Sequence, residues 1–322
     1  RLQILAFEKH PAAAAARLRG RIEATPVLRS DAFDARSGRR VFFKCENLQA
    51  GGSFKLRGAT NAVLLPQRTG LRAVATHSSG NHGAALARAA RAVGLRCIVV
   101  VPRDASAVKL AAIEAQGAEL VRSEPGLAAR EAALAEVLRS IDAEVVHPFD
   151  DARVIAGQGT AALELLGVRD DLDVLATPVG GGGLLAGSAL AARGIESKLR
   201  VIGVEPALAD DAARSFHGGV RVGLQGSPPT IADGLRGSIG ERPYALVREL
   251  VDDILTVSES AIVAAMRAVL EDFKILIEPS SAVPVAALLD GRLAAAGARV
   301  GIVISGGNVD LAQCPFLAGR TH

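Results

Sequence analysis

The segment Gly51-Gly52-Ser53-Phe54-Lys55-Leu56-Arg57-Gly58 puts a lysine where structure alone has little use for one. Two glycines make a turn, Ser53 is suited to cap the helix that follows, and Lys55 then falls in its first turn. A cation there opposes the positive helix N-terminus. That placement lowers its pKa, as an amine nucleophile toward an aldehyde requires. The bland alternative is a solvent-facing lysine. Only six of the 37 basic residues are lysines, however, so arginine is the more expected cation at an arbitrary surface position.

Three further segments carry glycine and small polar residues after apolar runs. Pro178-Val179-Gly180-Gly181-Gly182-Gly183-Leu184-Leu185 follows one run and opens a helix. Four bare glycines let consecutive N–H groups turn toward one anion at a helix start, which is a phosphate cradle. The absence of Gly-Lys-Ser/Thr argues against a nucleoside-triphosphate loop. A dinucleotide site competes: Gly181-x-Gly183-x-x-Ala186 fits the relaxed fingerprint, and Glu205 ends the next strand where a ribose hydroxyl is read. A nicotinamide-dependent oxidoreductase would, however, leave Lys55 without a task. His77-Ser78-Ser79-Gly80-Asn81-His82-Gly83 lies at another strand-to-helix junction, whose amides suit a carboxylate. Ile304-Ser305-Gly306-Gly307-Asn308 ends the last apolar run with a hydroxyl. Pyridoxal phosphate supplies an aldehyde, a phosphate, a ring oxygen and a ring nitrogen to match all four segments.

The elements that must position these residues alternate along the chain. Strands are expected at 73–76, 97–101, 119–121, 174–177, 201–204 and 300–304. Helices are expected at 81–93, 106–116, 127–140, 184–193, 259–271 and 281–288. Strands apolar on both faces and separated by helices predict an α/β protein with parallel sheets covered on both sides. No linker divides the chain. Two interleaved domains are expected, a larger one of residues 1–72 and 151–322 and a smaller one of 73–150.

Composition narrows the class. The chain has 322 residues, 49% of them hydrophobic, yet no apolar run approaches the ~18–20 residues of a membrane span. A net charge of +3 without a basic block, with 3% aromatics, argues against nucleic acid as a partner. Three widely spaced cysteines, Cys45, Cys97 and Cys314, suit buried thiols in a cytoplasmic protein. No secretory signal opens the sequence. Met266 is the only methionine, so further N-terminal residues are expected.

With these motifs in this order, nearly the whole chain resembles the serine racemase and serine/threonine dehydratase family, the fold type II pyridoxal-phosphate enzymes. Ser53-Phe54-Lys55-Leu56-Arg57-Gly58 and Ser78-Ser79-Gly80-Asn81-His82-Gly83 are the most specific segments. The resemblance implies that Lys55 forms a Schiff base with the cofactor, with Phe54 beside its ring. It implies Asn81 at the ring oxygen, Gly180, Gly181, Gly182, Gly183 and Leu184 around the phosphate, and Ser305 at the ring nitrogen. Substrate would be held by Ser78, Ser79, Asn81, His82 and, from the smaller domain, Arg130. Lys55 would take the Cα proton on one face, and Ser79 would reprotonate Cα from the other in a racemase. Glu205-Pro206-Ala207-Leu208-Ala209-Asp210-Asp211 resembles a divalent-metal loop, with Glu205, Asp211 and the Ala209 carbonyl as hard oxygen donors for magnesium, calcium or manganese. Ala84 and Gly237 depart from the glutamine and serine that members of that family carry, and with the chain ending soon after Asn308 no regulatory domain is expected. The implied activity is dehydration of L-serine, L-threonine or a related β-hydroxy amino acid by a homodimer. Serine racemase with side dehydration and 3-hydroxyaspartate ammonia-lyase are the alternatives.

Overall fold

The computed structural model describes residues 10–316, apart from residues 68, 79, 106, 196, 197 and 296. The strands are β1 (Val27–Leu28), β2 (Arg40–Cys45), β3 (Ala73–His77), β4 (Arg96–Pro102), β5 (Glu119–Ser123), β6 (Glu144–Val145), β7 (Val174–Pro178), β8 (Arg200–Pro206), β9 (Asp253–Val257) and β10 (Arg299–Ile304). The helices are α1 (Pro11–Leu18), α2 (Asp31–Ser37), α3 (Lys55–Leu64), α4 (Asn81–Ala92), α5 (Ala107–Glu114), α6 (Leu127–Ser140), α7 (Ala152–Val168), α8 (Gly183–Gly194), α9 (Asp211–Gly218), α10 (Glu241–Leu250), α11 (Glu259–Phe273) and α12 (Pro279–Leu289).

Two sheets result. One has the order β1-β2-β10-β7-β8-β9, parallel except for the short antiparallel edge strand β1, and the other is β5-β4-β3-β6, parallel throughout. Every residue of β3 and β7 is buried, as strands covered by helices on both faces must be. In the larger sheet, one face packs Phe33, Phe43, Met266 and α12 residues, and the other packs α7, α8 and Val247.

Strand order decides where a ligand can sit. The chain runs outward from β7 to β8 to β9, then returns to place β10 on the other side of β7. The smaller sheet repeats the device: β3, β4 and β5 run outward, and β6 returns to the far side of β3. Crevices open beyond the carboxyl ends of strands at such reversals.

Helix α7 is buried over most of its length and touches the two helices that carry chemistry. A side chain at Gly157 would meet the Gly58 Cα at 2.6 Å, and one at Gly159 would meet the Gly187 carbonyl oxygen at 2.3 Å. Backbone-to-backbone contact therefore fixes α3 and α8 against a common helix. A second anchor is Arg57, fully buried, which gives bonds of 2.7 and 2.8 Å to Glu46 and of 2.7 and 2.8 Å to Glu164. Removing one partner of such a buried pair typically costs about 3–5 kcal/mol. The arginine of the lysine segment thus serves the fold.

The structure adds elements that periodicity did not reveal, chiefly β2, β6, β9, α7, α9 and α10. Strand β2 contains a buried Lys44, neutralised by Glu164 at 2.5 Å. Strand β6 has only two residues. The helix expected over 106–116 spans Ala107–Glu114, and its expected first residue, Ser106, lies outside the described residues.

Candidate active site

The four strands flanking the two reversals, β3, β6, β7 and β10, all end in the same crevice. Ser78 and Asn81 follow β3, His147 to Phe149 follow β6, the four glycines follow β7, and Ser305 follows β10. Helix α3 enters through an antiparallel bridge between Ser53 and Gly306, with the Phe54 amide donating to the Ser305 carbonyl at 2.9 Å. Ser53 thus pairs its backbone with the β10 extension and makes no capping bond to α3, contrary to its expected role.

Lys55 is the first residue of α3. Its Nζ donates to the Pro148 carbonyl at 3.0 Å and lies 5.0 Å from the centre of the Phe54 ring. Burial lowers its pKa from 10.5 to about 8, against a smaller opposing pull from Glu278. The lowered pKa agrees with the sequence argument, but the cause is desolvation rather than the helix terminus.

The glycine run is packed from three sides. A side chain at Gly181 would fall 2.2 Å from the Phe149 ring, and one at Gly180 would fall 3.0 Å from the Leu235 Cα. Gly182 has φ +85° and precedes α8, a conformation that side chains disfavour. The first-turn amides of α8, Gly183 and Leu184 among them, have no acceptor within the helix. An anion at this terminus therefore meets N–H donors and the positive dipole end together. Bare backbone against a phosphate-sized anion is the fit this loop offers.

Asn81 opens α4 and is held on both ends of its amide. Its Nδ2 donates to Glu278 at 3.1 and 3.2 Å, and its Oδ1 accepts from Asn308 Nδ2 at 2.9 Å. The Ser78 hydroxyl oxygen accepts the Gly80 and Gly83 amides at 3.3 and 3.2 Å, which leaves its own O–H available. His82 is buried, with Nε2 bonded to the Val146 carbonyl at 3.1 Å. That bond requires a proton on Nε2, and burial with Lys55 nearby pushes the ring's pKa well below the histidine range. His82 is therefore neutral and buttresses the turn, so it offers no charge to a substrate carboxylate. Its Nδ1 is buried without a partner among the described residues. Arg130, in the first turn of α6, is close enough to depress His77, whose pKa falls to about 4 chiefly through burial. Ser79 lies outside the described residues.

Ser305 is buried and its hydroxyl meets Ser281 Oγ at 2.9 Å. Ser281 also binds the Gly306 amide at 2.7 Å. A ligand nitrogen at Ser305 would therefore meet a neutral hydroxyl backed by another.

Glu205, Ala209 and Asp211 are all fully buried. Glu205 accepts the Ala213 and Ala212 amides at 2.8 and 3.3 Å at the start of α9. It therefore faces inward and is not set to read a ribose, which removes the acidic half of the dinucleotide fingerprint. Asp211 Oδ2 accepts the Ile239 amide at 2.8 Å, while its Oδ1 is buried without a partner among the described residues. Burial raises the pKa of Asp211 to about 6, and burial with Asp211 alongside raises Glu205 well above the carboxylate range. Two buried carboxylates with an unused oxygen fit a divalent cation.

Sequence reasoning passed over Glu278, Lys109 and the His147–Phe149 strap. Glu278 precedes Pro279 at a helix start, where an acidic residue ordinarily reads as a cap. The strap follows a strand too short to show a period.

Known proteins agree with this geometry. The family described as "Pyridoxal-phosphate dependent enzyme" matches residues 18–306. Serine racemase of Arabidopsis thaliana is 44% identical over 301 residues, covering 92% of this chain and 91% of that protein. The beta-hydroxyaspartate dehydratase of Paracoccus denitrificans is 43% identical over 305 residues, covering 94% and 96%. The solved structure of maize serine racemase superposes with a TM-score of 0.90 at 40% identity, covering 94% of both chains. With a lysine of depressed pKa, a bare anion cradle and a family match across most of its length, the chain belongs to the pyridoxal-phosphate dependent enzymes.

Proposed function

We propose that the protein is an ammonia-lyase that removes water from L-serine, L-threonine or a related small β-hydroxy amino acid, giving a 2-keto acid and ammonia. One observation carries the reading: Lys55, with its pKa near 8, shares a crevice with Ser305, whose position after β10 offers a ring nitrogen a neutral hydroxyl backed by Ser281. When bound, pyridoxal phosphate supplies an aldehyde for the substrate amine and a ring that draws electrons from the Cα–H bond.

The chain's own residues would then divide the work. Gly180 to Gly183 with Leu184 would hold the phosphate, Phe54 would flank the ring, Asn81 would donate toward the ring oxygen, and Ser305 would face the ring nitrogen. A hydroxyl does not force that nitrogen to be protonated. The resulting weaker electron demand suits elimination, in which departing hydroxide carries the electrons away, better than transamination. Lys55 Nζ, which donates to the Pro148 carbonyl, would take the Cα proton; a pKa near 8 keeps enough of it uncharged for this. The Ser78 hydroxyl, Asn81 and the amides opening α4 hold the carboxylate, and Arg130 reaches the substrate from α6. The enamine released after loss of water hydrolyses to the keto acid and ammonia.

Glu205, Asp211 and the Ala209 carbonyl hold a divalent cation in this reading, supported by their joint burial and the unpartnered Asp211 oxygen. The reading also divides the chain into residues 1–72 with 151–322 and residues 73–150, supported by strands β3 to β6, which pair only with one another. The reading includes a homodimer, on the family resemblance, and a cytoplasmic place, supported by the three buried free thiols, which accord with a reducing compartment.

Racemisation is the second reading, with Ser79 as the acid opposite Lys55. It is favoured by the relatives named serine racemase. A 3-hydroxyaspartate ammonia-lyase is favoured by the relative named beta-hydroxyaspartate dehydratase. The test is a panel of β-hydroxy amino acids, both enantiomers of each, scored separately for keto acid and inverted substrate, with magnesium present and after chelation. Keto acid from at least one L-substrate, reduced by chelation, is expected. Inversion without keto acid would transfer the assignment to the racemase reading, and no product from any member would overturn both.

A further inference from the structure

Glu278 occupies the N-cap position of α12 yet makes no capping bond there; its backbone amide is taken by the Gly306 carbonyl at 3.0 Å. The side chain turns inward, only 6% exposed, and crosses to the other sheet's helix to accept Asn81 Nδ2 at 3.1 and 3.2 Å. A buried carboxylate used in this way costs desolvation, so it needs a return. The Asn81 amide supplies one.

The direction of that amide is fixed by its neighbours. Asn308 Nδ2 donates to the Gly51 carbonyl and to Asn81 Oδ1, both at 2.9 Å. Turning the Asn81 amide over would set two NH2 groups against each other and an amide oxygen against a carboxylate. Both oxygens of one carboxylate lie on the same side of Nδ2, so they share one of its hydrogens and leave the second free. Both Glu278 side-chain oxygens accept from Asn81 Nδ2, so the carboxyl group presents acceptors, not a donor, to that amide. Burial raises the Glu278 pKa above the usual carboxylate value, while Asn81 from α4, Lys109 from α5, the Asn308 backbone amide and Lys55 from α3 each pull it back down.

We infer that Glu278 is a positioning residue for the cofactor, acting through Asn81. By holding the amide with Nδ2 outward, it keeps one N–H available to the cofactor's ring oxygen. The inference rests on the reading that Asn81 faces that oxygen, and the test separates the two.

The experiment titrates pyridoxal phosphate and its 3-deoxy analogue, which lacks the ring hydroxyl, into cofactor-free protein and follows absorbance. The quantity read is the ratio of the two dissociation constants within each variant, which a partly unfolded sample does not distort. In the parent protein the natural cofactor binds more tightly, and Asn81→Ala should cut that preference about tenfold, the size of one hydrogen bond to a charged oxygen. Glu278→Met, similar in bulk but without an acceptor, should cut the preference by a comparable factor, and Glu278→Gln, which keeps one acceptor, should retain most of it. The double variant Asn81→Ala/Glu278→Met should lose no more than Asn81→Ala alone. An unchanged ratio in Glu278→Met beside a collapsed ratio in Asn81→Ala would overturn the role of Glu278 and leave Asn81 in place. An unchanged ratio in Asn81→Ala would overturn both.

Discussion

Burial takes Lys55 from an ordinary ammonium to an amine with a pKa of about 8. About a tenth of it is then uncharged at pH 7, where an exposed lysine is uncharged roughly once in 3,000. Cofactor-free protein should therefore capture pyridoxal phosphate at a rate that climbs with pH to a midpoint near 8, measured by stopped-flow absorbance. A midpoint near 10.5 would show that the amine is not desolvated. The sign for stability agrees: the folded chain releases this proton before the unfolded chain does. Lys55 therefore adds to stability as pH rises between about 8 and 10.5. At this scale the sequence carried the residue types but not all of their duties. The lysine, the glycines and the serine after β10 were legible because few structural needs call for them in those places. Ser53 and His82 read as a cap and a substrate ligand, whereas a bridge to Gly306 and a bond to the Val146 carbonyl decide what they do. Both partners lie far away in sequence, where local spacing has no reach. Glu278 was hidden for the same reason, since its partner is 197 residues distant.

Among the elements, the strands of the core were the most legible, because burial on both faces leaves continuous apolar runs. Helix α7 was not: its glycines, required by the approach of α3 and α8, remove the period that marks an amphipathic helix. The tetraglycine turn was read as a phosphate cradle alone, yet packing accounts for part of it. The Phe149 ring occupies the place a side chain at Gly181 would need. Gly181→Ala should therefore lower thermal stability by about 1–3 kcal/mol through overpacking and weaken cofactor binding as the turn shifts. Gly237→Ala is the comparison, since its new carbon would sit 3.8 Å from the same ring, an ordinary contact. Denaturation and cofactor titration on both variants check the point, and equal behaviour would contradict it.

Across the whole molecule, two parallel sheets each reverse their strand order once, and the strand ends at both reversals supply one crevice. Lys109 of α5 reaches the Asp233 carboxylate across its mouth, and Asn81 meets Glu278 across its floor. Chain order alone suggested interleaved parallel sheets, but it did not show that both reversals face each other, because strand β6 is too short to announce itself. The account as a whole depends on Lys55 being the amine that this crevice prepares for an aldehyde. The most direct measurement is to add pyridoxal phosphate to the folded protein, reduce with borohydride, and map the modified peptide by mass spectrometry. A single pyridoxyl group on Lys55, absent after Lys55→Ala, is the predicted result; labelling spread over other lysines, or none at all, would contradict it.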